Sequence, residues 1–456
     1  MDGSISYEAA AAMETLTDPT TKPSDSPPAA AAAADPRWLM LNCRGYRWLD
    51  SFVTDARTVA ESLTSTGLAV HVSLGLAPPP ASSFLYYDLE AGAAADGNPV
   101  VIAAHTDAVL FQMTPPKAPR RKRQRRDVSA PISTTATFDY FVYEAGAGRP
   151  PSLSLLPTCD IPKQYERGTA LRKPRGRMLQ KEDTGVLRRG DGAGELLVAQ
   201  LEVTHDEPWD AAELCVLRPD TREWELMQAV PIIHGDDNAG GGEPRRWRTA
   251  DAVVPVGDRF LCWVNLAGGF LLCDMAGDEA RPKLRRVTLP VGPPNESGHY
   301  YTVIGHRPCL RQSRNMGAAG SGAAAAVRFV SIDSRCCCGG PGTSTCERSR
   351  FAFTVTTWTM TLSTDEPMTW VKDSVLDCEE LWGLPGYEGL PRVPPQYPIV
   401  SSDNPDVVCF MICEGYSDPK TWMIEVDTRS KTLMSIVGCT TNQWEVDSHL
   451  PVKLRW

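Results

Sequence analysis

The densest run of chemistry-bearing side chains is Pro116-Lys-Ala-Pro-Arg-Arg-Lys-Arg-Gln-Arg-Arg126. There Lys117, Arg120, Arg121, Lys122, Arg123, Arg125 and Arg126 place seven positive charges on one proline-flanked stretch. An extended basic loop of this kind fits the groove of an importin or a phosphate backbone; the bland alternative is a solvated insertion. A second, looser basic stretch from Arg167 to Arg189 is diluted by Glu182 and Asp183 and reads as a solvated loop.

The other residues able to do chemistry do not assemble into a motif. Structural zinc sites need thiolates whose side chains converge, commonly as two Cys-x-x-Cys pairs. Cys336-Cys-Cys338 with Cys346 are adjacent and diverging, with no histidine nearby, and read as an incidental thiol-rich loop. Of the seven histidines, His205 beside Asp206-Glu207 and His234 beside Asp236-Asp237 have carboxylate neighbours, the pattern expected of solvated loops as well as of acid–base pairs. Gly320-Ser-Gly322 fails the nucleophile elbow because position 319 is alanine and no strand–turn–helix surrounds it. Gly190-Asp-Gly-Ala-Gly194 lacks the lysine and following helix of a phosphate loop and reads as a hairpin turn. The sequence therefore predicts no catalytic set, no metal site and no cofactor.

The elements around these residues read as strands. With 38 prolines and 36 glycines in 456 residues, short elements joined by turns are favoured over long helices. Apolar runs recur at Val100–Ala104, Val109–Met113, Thr137–Glu144, Leu196–Val203, Glu213–Leu217 and Trp224–Val230. They continue at Phe260–Leu266, Phe270–Met275, Val327–Ile332, Phe351–Met360, Val407–Ile412 and Trp422–Val426. Leu197, Ala199, Leu201 and Val203 alternate with Val198, Gln200 and Glu202, the period of a half-buried strand. One helix is expected, over Asp55 to Leu63, with Ala56, Val59, Ala60 and Leu63 on one face. Two strand–turn–strand units share an Asp-Thr-Arg turn, at Asp220 and at Asp427, but no fixed repeat period emerges.

Residues 1–35, rich in Ala, Pro, Ser and Thr, read as a disordered leader. Residues 36–456 read as a single large β domain, with loop-rich insertions at 114–131 and 316–348. The net charge of −10 argues against a dedicated nucleic-acid binder, whose affinity rests on phosphate contacts. Fourteen cysteines without a signal peptide or an 18-residue apolar span predict reduced thiols, with Cys215, Cys262, Cys273, Cys409 and Cys413 as core residues. The 12 tryptophans suit strands, and Trp209, Trp247, Trp358, Trp370, Trp382 and Trp444, near strand ends or loops, are candidates for one or two surface anchors.

From Gly185-Val-Leu-Arg-Arg-Gly190 through Ala250-Asp-Ala-Val-Val-Pro-Val-Gly257, a hairpin from Phe260 to Met275, and Leu289-Pro290, the order of blocks resembles a plant family abundant in grasses, domain of unknown function 1618. The resemblance spans roughly Thr184 to Ser402 and rests on Trp263, Gly268, Gly269, Cys273, Asp274, Leu289 and Pro290, to which it assigns structural roles. The turn Ala267-Gly268-Gly269 departs from the family, which often has an aromatic or basic residue followed by Arg-Gly. The family supplies no catalytic residues. Some relatives are similar to substrate-binding domains of F-box proteins, but residues 1–60 lack the F-box pattern.

The expectation is a mostly β protein, an irregular propeller-like array of hairpins with long loop insertions; the alternative is a two-sheet β domain with a small N-terminal α/β piece. Functionally it is expected to be a non-enzymatic protein–protein interaction scaffold in nucleus or cytoplasm, meeting an importin through the basic loop and no membrane. A hydrolase-like enzyme with a dispersed site and a nucleic-acid-associated protein are the alternatives.

Overall fold

The computed structural model describes residues 36–48, 55–90, 97–115, 138–146, 148–161, 176–190, 194–203, 211–219, 221–234, 247, 249–276, 282–292, 309–320, 325–336, 351–364, 366–414, 420–439 and 449–454. The expected leader and the basic run from Lys117 to Arg126 lie outside these residues, as do Cys337, Cys338 and Cys346. The chain divides into two units, Met1–Asp35 and Pro36–Trp456, and the second holds everything described below.

The protein is mostly β, as its sequence predicts. Six groups of strands follow one another. The first comprises β1 (Leu39–Asn42), β2 (Tyr46–Arg47), β3 (Ala60–Leu63), β4 (Ala69–Gly75) and β5 (Ser82–Leu89). The second is β6 (Val100–His105), β7 (Ala108–Met113), β8 (Asp139–Glu144) and β9 (Ser152–Leu155). The third is β10 (Thr184–Arg188), β11 (Leu196–Val203), β12 (Ala211–Arg218) and β13 (Glu223–His234). The fourth is β14 (Ala252–Val256), β15 (Phe260–Asn265), β16 (Gly269–Asp274) and β17 (Leu284–Val287). The fifth is β18 (Arg314–Ala319), β19 (Ala326–Ser334), β20 (Phe353–Thr361) and β21 (Val371–Asp377), followed by a short helix α1 (Cys378–Trp382). The sixth is β22 (Gln396–Val400), β23 (Val407–Cys413), β24 (Thr421–Asp427) and β25 (Thr432–Cys439). The last strand, β26 (His449–Val452), returns to the first group and pairs antiparallel with β1, Leu39 opposite Val452.

Groups two to six are antiparallel meanders in chain order, and parallel pairing of β13 with β17 merges groups three and four into one eight-stranded sheet. The result is five sheets instead of the alternative's two, and the N-terminal strands join a sheet instead of forming an α/β piece. The leading strands touch in cyclic order: β6 meets β10, then β14, β18, β22 and β26 follow, and β26 meets β6 again.

Apolar side chains explain this order. Along β23, Val408, Phe410 and Ile412 face the fifth group, while Cys409, Met411 and Cys413 face the first, in two separate cores. Along β7, Val109, Phe111 and Met113 pack toward the first group and Ala108 and Leu110 toward the third. A strand buried on both faces loses the polar half of its alternation. That corrects the half-buried reading of β11: Val198 packs in one core, Leu197 and Leu201 in another, and Gln200 is fully buried. Outermost strands keep the alternation, as in β25, where Thr432, Met434, Ile436 and Gly438 face solvent. Each fully buried Leu or Phe contributes about 1.5–3 kcal/mol, so six such cores are the main source of stability.

Two sequence expectations fail locally. Asp55 to Leu63 forms one turn of 3₁₀ helix (Ala56–Thr58) and then β3, with Leu63 on the surface. The Thr58 hydroxyl oxygen accepts the Leu74 N–H at 2.9 Å, so pairing with β4 prevails over a weak, alanine-rich helical face. Within the expected insertion 316–348, the strand expected at Val327–Ile332 is β19 (Ala326–Ser334), but Met316–Ala319, expected in a low-complexity loop, complete β18. The small residues there serve close packing: a Cβ on Gly317 would stand 2.7 Å from the Val400 Cβ of β22. Gly185 of β10 plays the same part, 2.6 Å from Val253 of β14.

Gly317→Val is expected to destabilise the protein by about 1–3 kcal/mol through overpacking, whereas Gly438→Ala, with nothing within 4 Å, is expected to be near neutral. Denaturant unfolding of the two variants beside wild type checks this.

Candidate functional site

Charged residues inside apolar strands are costly unless paired, so they mark where polar chemistry is concentrated. The largest fully buried cation is Arg328 of β19. Its guanidinium donates to Asp373 of β21 at 2.6 Å, to Thr359 at 2.9 Å, and to Asp406 of the sixth group. Asp406 also meets Arg429 at 2.8 Å, and its carbonyl accepts the Thr428 hydroxyl, so one carboxylate fastens two groups and the β24–β25 turn.

A second centre joins groups two and three. Arg188, the last residue of β10, donates to Asp107 at 2.9 Å, to Glu144, and to the Gly194 carbonyl at 3.0 Å. Its backbone N–H donates to Nδ1 of His105 at 3.0 Å, which holds that nitrogen as an acceptor. Desolvation of the ring, then the Arg188 charge, push His105 down to about 4, against the opposing pull of Asp107. The third centre is Arg177, its side chain fully buried, donating to Glu213 at 2.9 Å, to Glu202 at 3.4 Å and to the Ile161 carbonyl. Arg177 and Arg188 belong to the stretch expected as a solvated loop. Geometry reverses that expectation, because β10 sits between two neighbours and its basic residue finds carboxylates there.

Two further arginines bind backbone. Arg314 at the start of β18 donates to the Leu266 and Gly292 carbonyls at 2.9 and 2.8 Å, and Arg285 of β17 donates to the Glu366 carbonyl at 2.8 Å. Aromatic hydrogen-bonding groups follow the same rule. Tyr143 donates to the Thr58 carbonyl, Trp263 to that of Asp183, and Trp370 to that of Thr288, each between consecutive groups.

One pair has the composition of a nucleophile and its base. Ser82 Oγ and His449 Nε2 lie 2.7 Å apart, brought together by β5 and β26 from opposite ends of the chain. Hydroxyl and imidazole in contact are the first two parts of acyl transfer; an orienting acid and an oxyanion site complete it. No local motif announces this pair, because 367 positions separate its members. Among the described residues no three His, Cys, Asp or Glu side chains gather as a metal site requires.

The residues singled out by family resemblance are built into the hairpin and its surroundings. Trp263 and Cys273 are fully buried, with burial pushing the Cys273 thiol up to about 12. Asp274, at the end of β16, accepts hydrogen bonds from Nε and Nη2 of Arg259 in the β14–β15 turn. Gly269 has φ 145°, and a Cβ there would lie 2.2 Å from the Val287 carbonyl, so the turn demands glycine. Gly268 donates to the Asn265 carbonyl at 3.1 Å, while Leu289 is buried and Pro290 half-buried beside it. Gly190 and Gly194 flank the β10–β11 hairpin, as expected. His234 ends β13, and His205, Asp236 and Asp237 lie outside the described residues. Trp247, Trp358, Trp370 and Trp382 are half-buried and packed against the cores; Trp209 and Trp444 lie outside the described residues. The exposed large apolar side chains are instead Val371 and Val375 on β21, Met434 and Ile436 on β25, and Ile233, Leu63, Met178, Phe351 and Val100 elsewhere.

Residues 263–409 match the family described as Protein of unknown function (DUF1618), which supports that domain family for the stretch from β15 to β23. Residues 184–262 of the sequence resemblance fall outside the match. No curated protein matches the chain. Among solved structures, a putative 6-phosphogluconolactonase from Bacteroides uniformis ATCC 8492 aligns over 84% of this chain and 97% of its own, at 10% identity and a TM-score of 0.29. A polysaccharide lyase of family PL25, ulvan lyase, aligns over 73% of this chain and 80% of its own, at 10% identity and a TM-score of 0.28. Neither likeness bears on activity.

Asp406→Ala should cost about 2–4 kcal/mol by leaving Arg328 with one carboxylate in a buried site, measured by chemical denaturation. His105 titrates higher in the unfolded chain than in the fold, so protons favour unfolding. Its share of stability is complete above about pH 6.5 and is lost as pH falls toward about 4, amounting to about 3 kcal/mol. His105→Gln should flatten that part of the stability–pH curve.

Proposed function

We propose that the protein is a non-enzymatic protein–protein interaction scaffold, and that its cyclic order of strand groups is that of a six-bladed propeller. The observation that carries this reading is the disposition of side chains. The buried arginines Arg188 and Arg328 bind neighbouring strand groups together, whereas Val371, Val375, Met434 and Ile436 stand exposed on the outermost strands of consecutive groups. Exposed apolar side chains on a rigid frame are the usual anchors of protein interfaces. The reading includes an importin as partner of Lys117, Arg120, Arg121, Lys122, Arg123, Arg125 and Arg126, a nuclear and cytoplasmic location, and the plant origin that the family resemblance implies. An enzyme is the second reading, favoured by one observation, the Ser82–His449 contact at 2.7 Å.

Proximity labelling in plant cells, comparing wild type with a Val371→Lys, Val375→Lys, Met434→Lys, Ile436→Lys variant, separates the two. The scaffold reading expects defined protein neighbours that the variant loses, with nuclear signal of a fluorescent fusion lost when the seven basic residues become alanine. Identical neighbours for both proteins, together with fluorophosphonate labelling that Ser82→Ala abolishes, would overturn it in favour of the enzyme.

A further inference from the structure

The cysteine pattern of the sequence predicts reduced thiols, yet among the described residues Cys159 and Cys215 are in contact. Cys159 lies in the segment that leaves β9, and Cys215 lies in the middle of β12; their sulfurs are 3.6 Å apart and both side chains are buried. Two observations set this pair apart from the other core thiols. The first is reach. Cys262 and Cys273 sit on adjacent strands but face opposite cores, and Cys409 and Cys413 are four residues apart along one strand, a separation of about 13 Å. A disulfide needs sulfurs roughly 2.05 Å apart, so Cys159 and Cys215 require an approach of about 1.5 Å, within the range of side-chain rotation.

The second observation is charge. Arg177 donates its backbone N–H to the Cys159 carbonyl at 2.7 Å, and its buried guanidinium is held beside the pair by Glu213 and Glu202. A fixed cation next to a thiol favours the thiolate, the reactive form. The Cys215 thiol hydrogen bond holds Cys159 below the usual thiol range, helped by the Ile161 N–H and the Arg177 charge against desolvation. The same hydrogen bond, with burial, pushes Cys215 up. The Ile161 N–H and the Arg177 charge favour negative charge on Cys159, which makes it the attacking member of the pair. Cys262, by contrast, is pushed up by burial with no cation to offset it.

We propose that Cys159 and Cys215 form a reversible dithiol–disulfide site, oxidised by hydroperoxides and reduced by small thiols. The Cys159 thiolate attacks a peroxide oxygen, the O–O bond breaks, and with the leaving oxygen taking up a proton, one water departs and leaves a sulfenic acid on Cys159. The Cys215 sulfur then attacks the Cys159 sulfur; its proton joins the departing hydroxyl as a second water, and the S–S bond forms. In sum two thiols and one hydrogen peroxide give one disulfide and two waters, and two equivalents of small thiol restore the dithiol. The bond ties the segment between β9 and β10 to β12, closing a long loop, so the oxidised form is the more heat-stable one.

The test uses the full-length protein, with Cys336, Cys337, Cys338 and Cys346 changed to serine to remove the thiol-rich run. It is treated with hydrogen peroxide, alkylated after denaturation, digested and mapped by mass spectrometry. The expected product is a Cys159–Cys215 cross-linked peptide, fully reversed by dithiothreitol, with Cys262 and Cys273 still alkylated. The oxidised protein should melt several degrees higher than the reduced one, and Cys159→Ser should abolish both the cross-link and the shift. The proposal is overturned if Cys159 and Cys215 are still alkylated once exposed Cys309 is fully oxidised, or if either is cross-linked to another cysteine. Mapping of the unsubstituted pair requires no folded variant, so a Cys159→Ser protein that fails to fold leaves the test decisive.

Discussion

The structure depends on one constraint: its inner strands are apolar on both faces, so no sheet can complete its burial alone. β23 shows this most plainly, with every residue from Val407 to Cys413 buried and alternate side chains given to two different neighbours. Each sheet must then have a sheet on either side. A row of such sheets would leave two apolar faces in water, and the cyclic order removes both. β26 completes the circle by carrying the chain's last described strand back to β1, where Trp38 and Met40 meet Cys409 and Met411 of the sixth group.

Within that circle, apolar contact supplies cohesion and polar contact supplies register. Sheets that meet through Val, Leu and Phe could slide, because dispersion is not directional. Arg328, Arg188 and Arg314 each place a planar donor fork where only one alignment satisfies it. Tyr143, Trp263 and Trp370 do likewise with single hydrogen bonds between consecutive groups. Burial of such arginines is tolerable only when their charge is paired, and Arg188 and Arg328 each meet two carboxylates, although the Nε of Arg328 is left without a hydrogen-bond partner. The buried arginines and the hydrogen-bonding aromatics are thus structural in the fold, while the Ser82–His449 and Cys159–Cys215 contacts are of a different kind.

Much of the fold is legible from local pattern. The runs at Val100–Ala104, Phe260–Leu266 and Val407–Ile412 coincide with β6, β15 and β23, since a strand buried twice over is simply a continuous apolar word. Both Asp-Thr-Arg segments do fall between third and fourth strands, of groups three and six, but two positions out of step: Arg222 immediately precedes β13, whereas Asp427 is the last residue of β24. Local pattern misleads where the deciding partner is remote. Asp55 to Leu63 has helical spacing, but β4 offers Ala60 to Leu63 a ladder and the Thr58 hydroxyl a bond from its Leu74 N–H. Gly317-Ala-Ala319 looks like low complexity, but the closeness of Val400 selects small residues. The chemistry is least legible of all. An arginine inside an apolar run, as in Val327-Arg328-Phe329, is the one local signal of a buried ion pair, and nothing near Cys159 names Cys215 as its neighbour.

The central claim is that closure of the circle by β26 makes all six strand groups one cooperative unit. Removing residues 440–456 and following hydrogen exchange across the whole chain tests this most directly. The account predicts that protection falls everywhere, including β11 and β15 on the far side of the chain order, with a single lowered unfolding midpoint. Loss confined to β1 and its neighbours, with the remaining strands as protected as before, would contradict it.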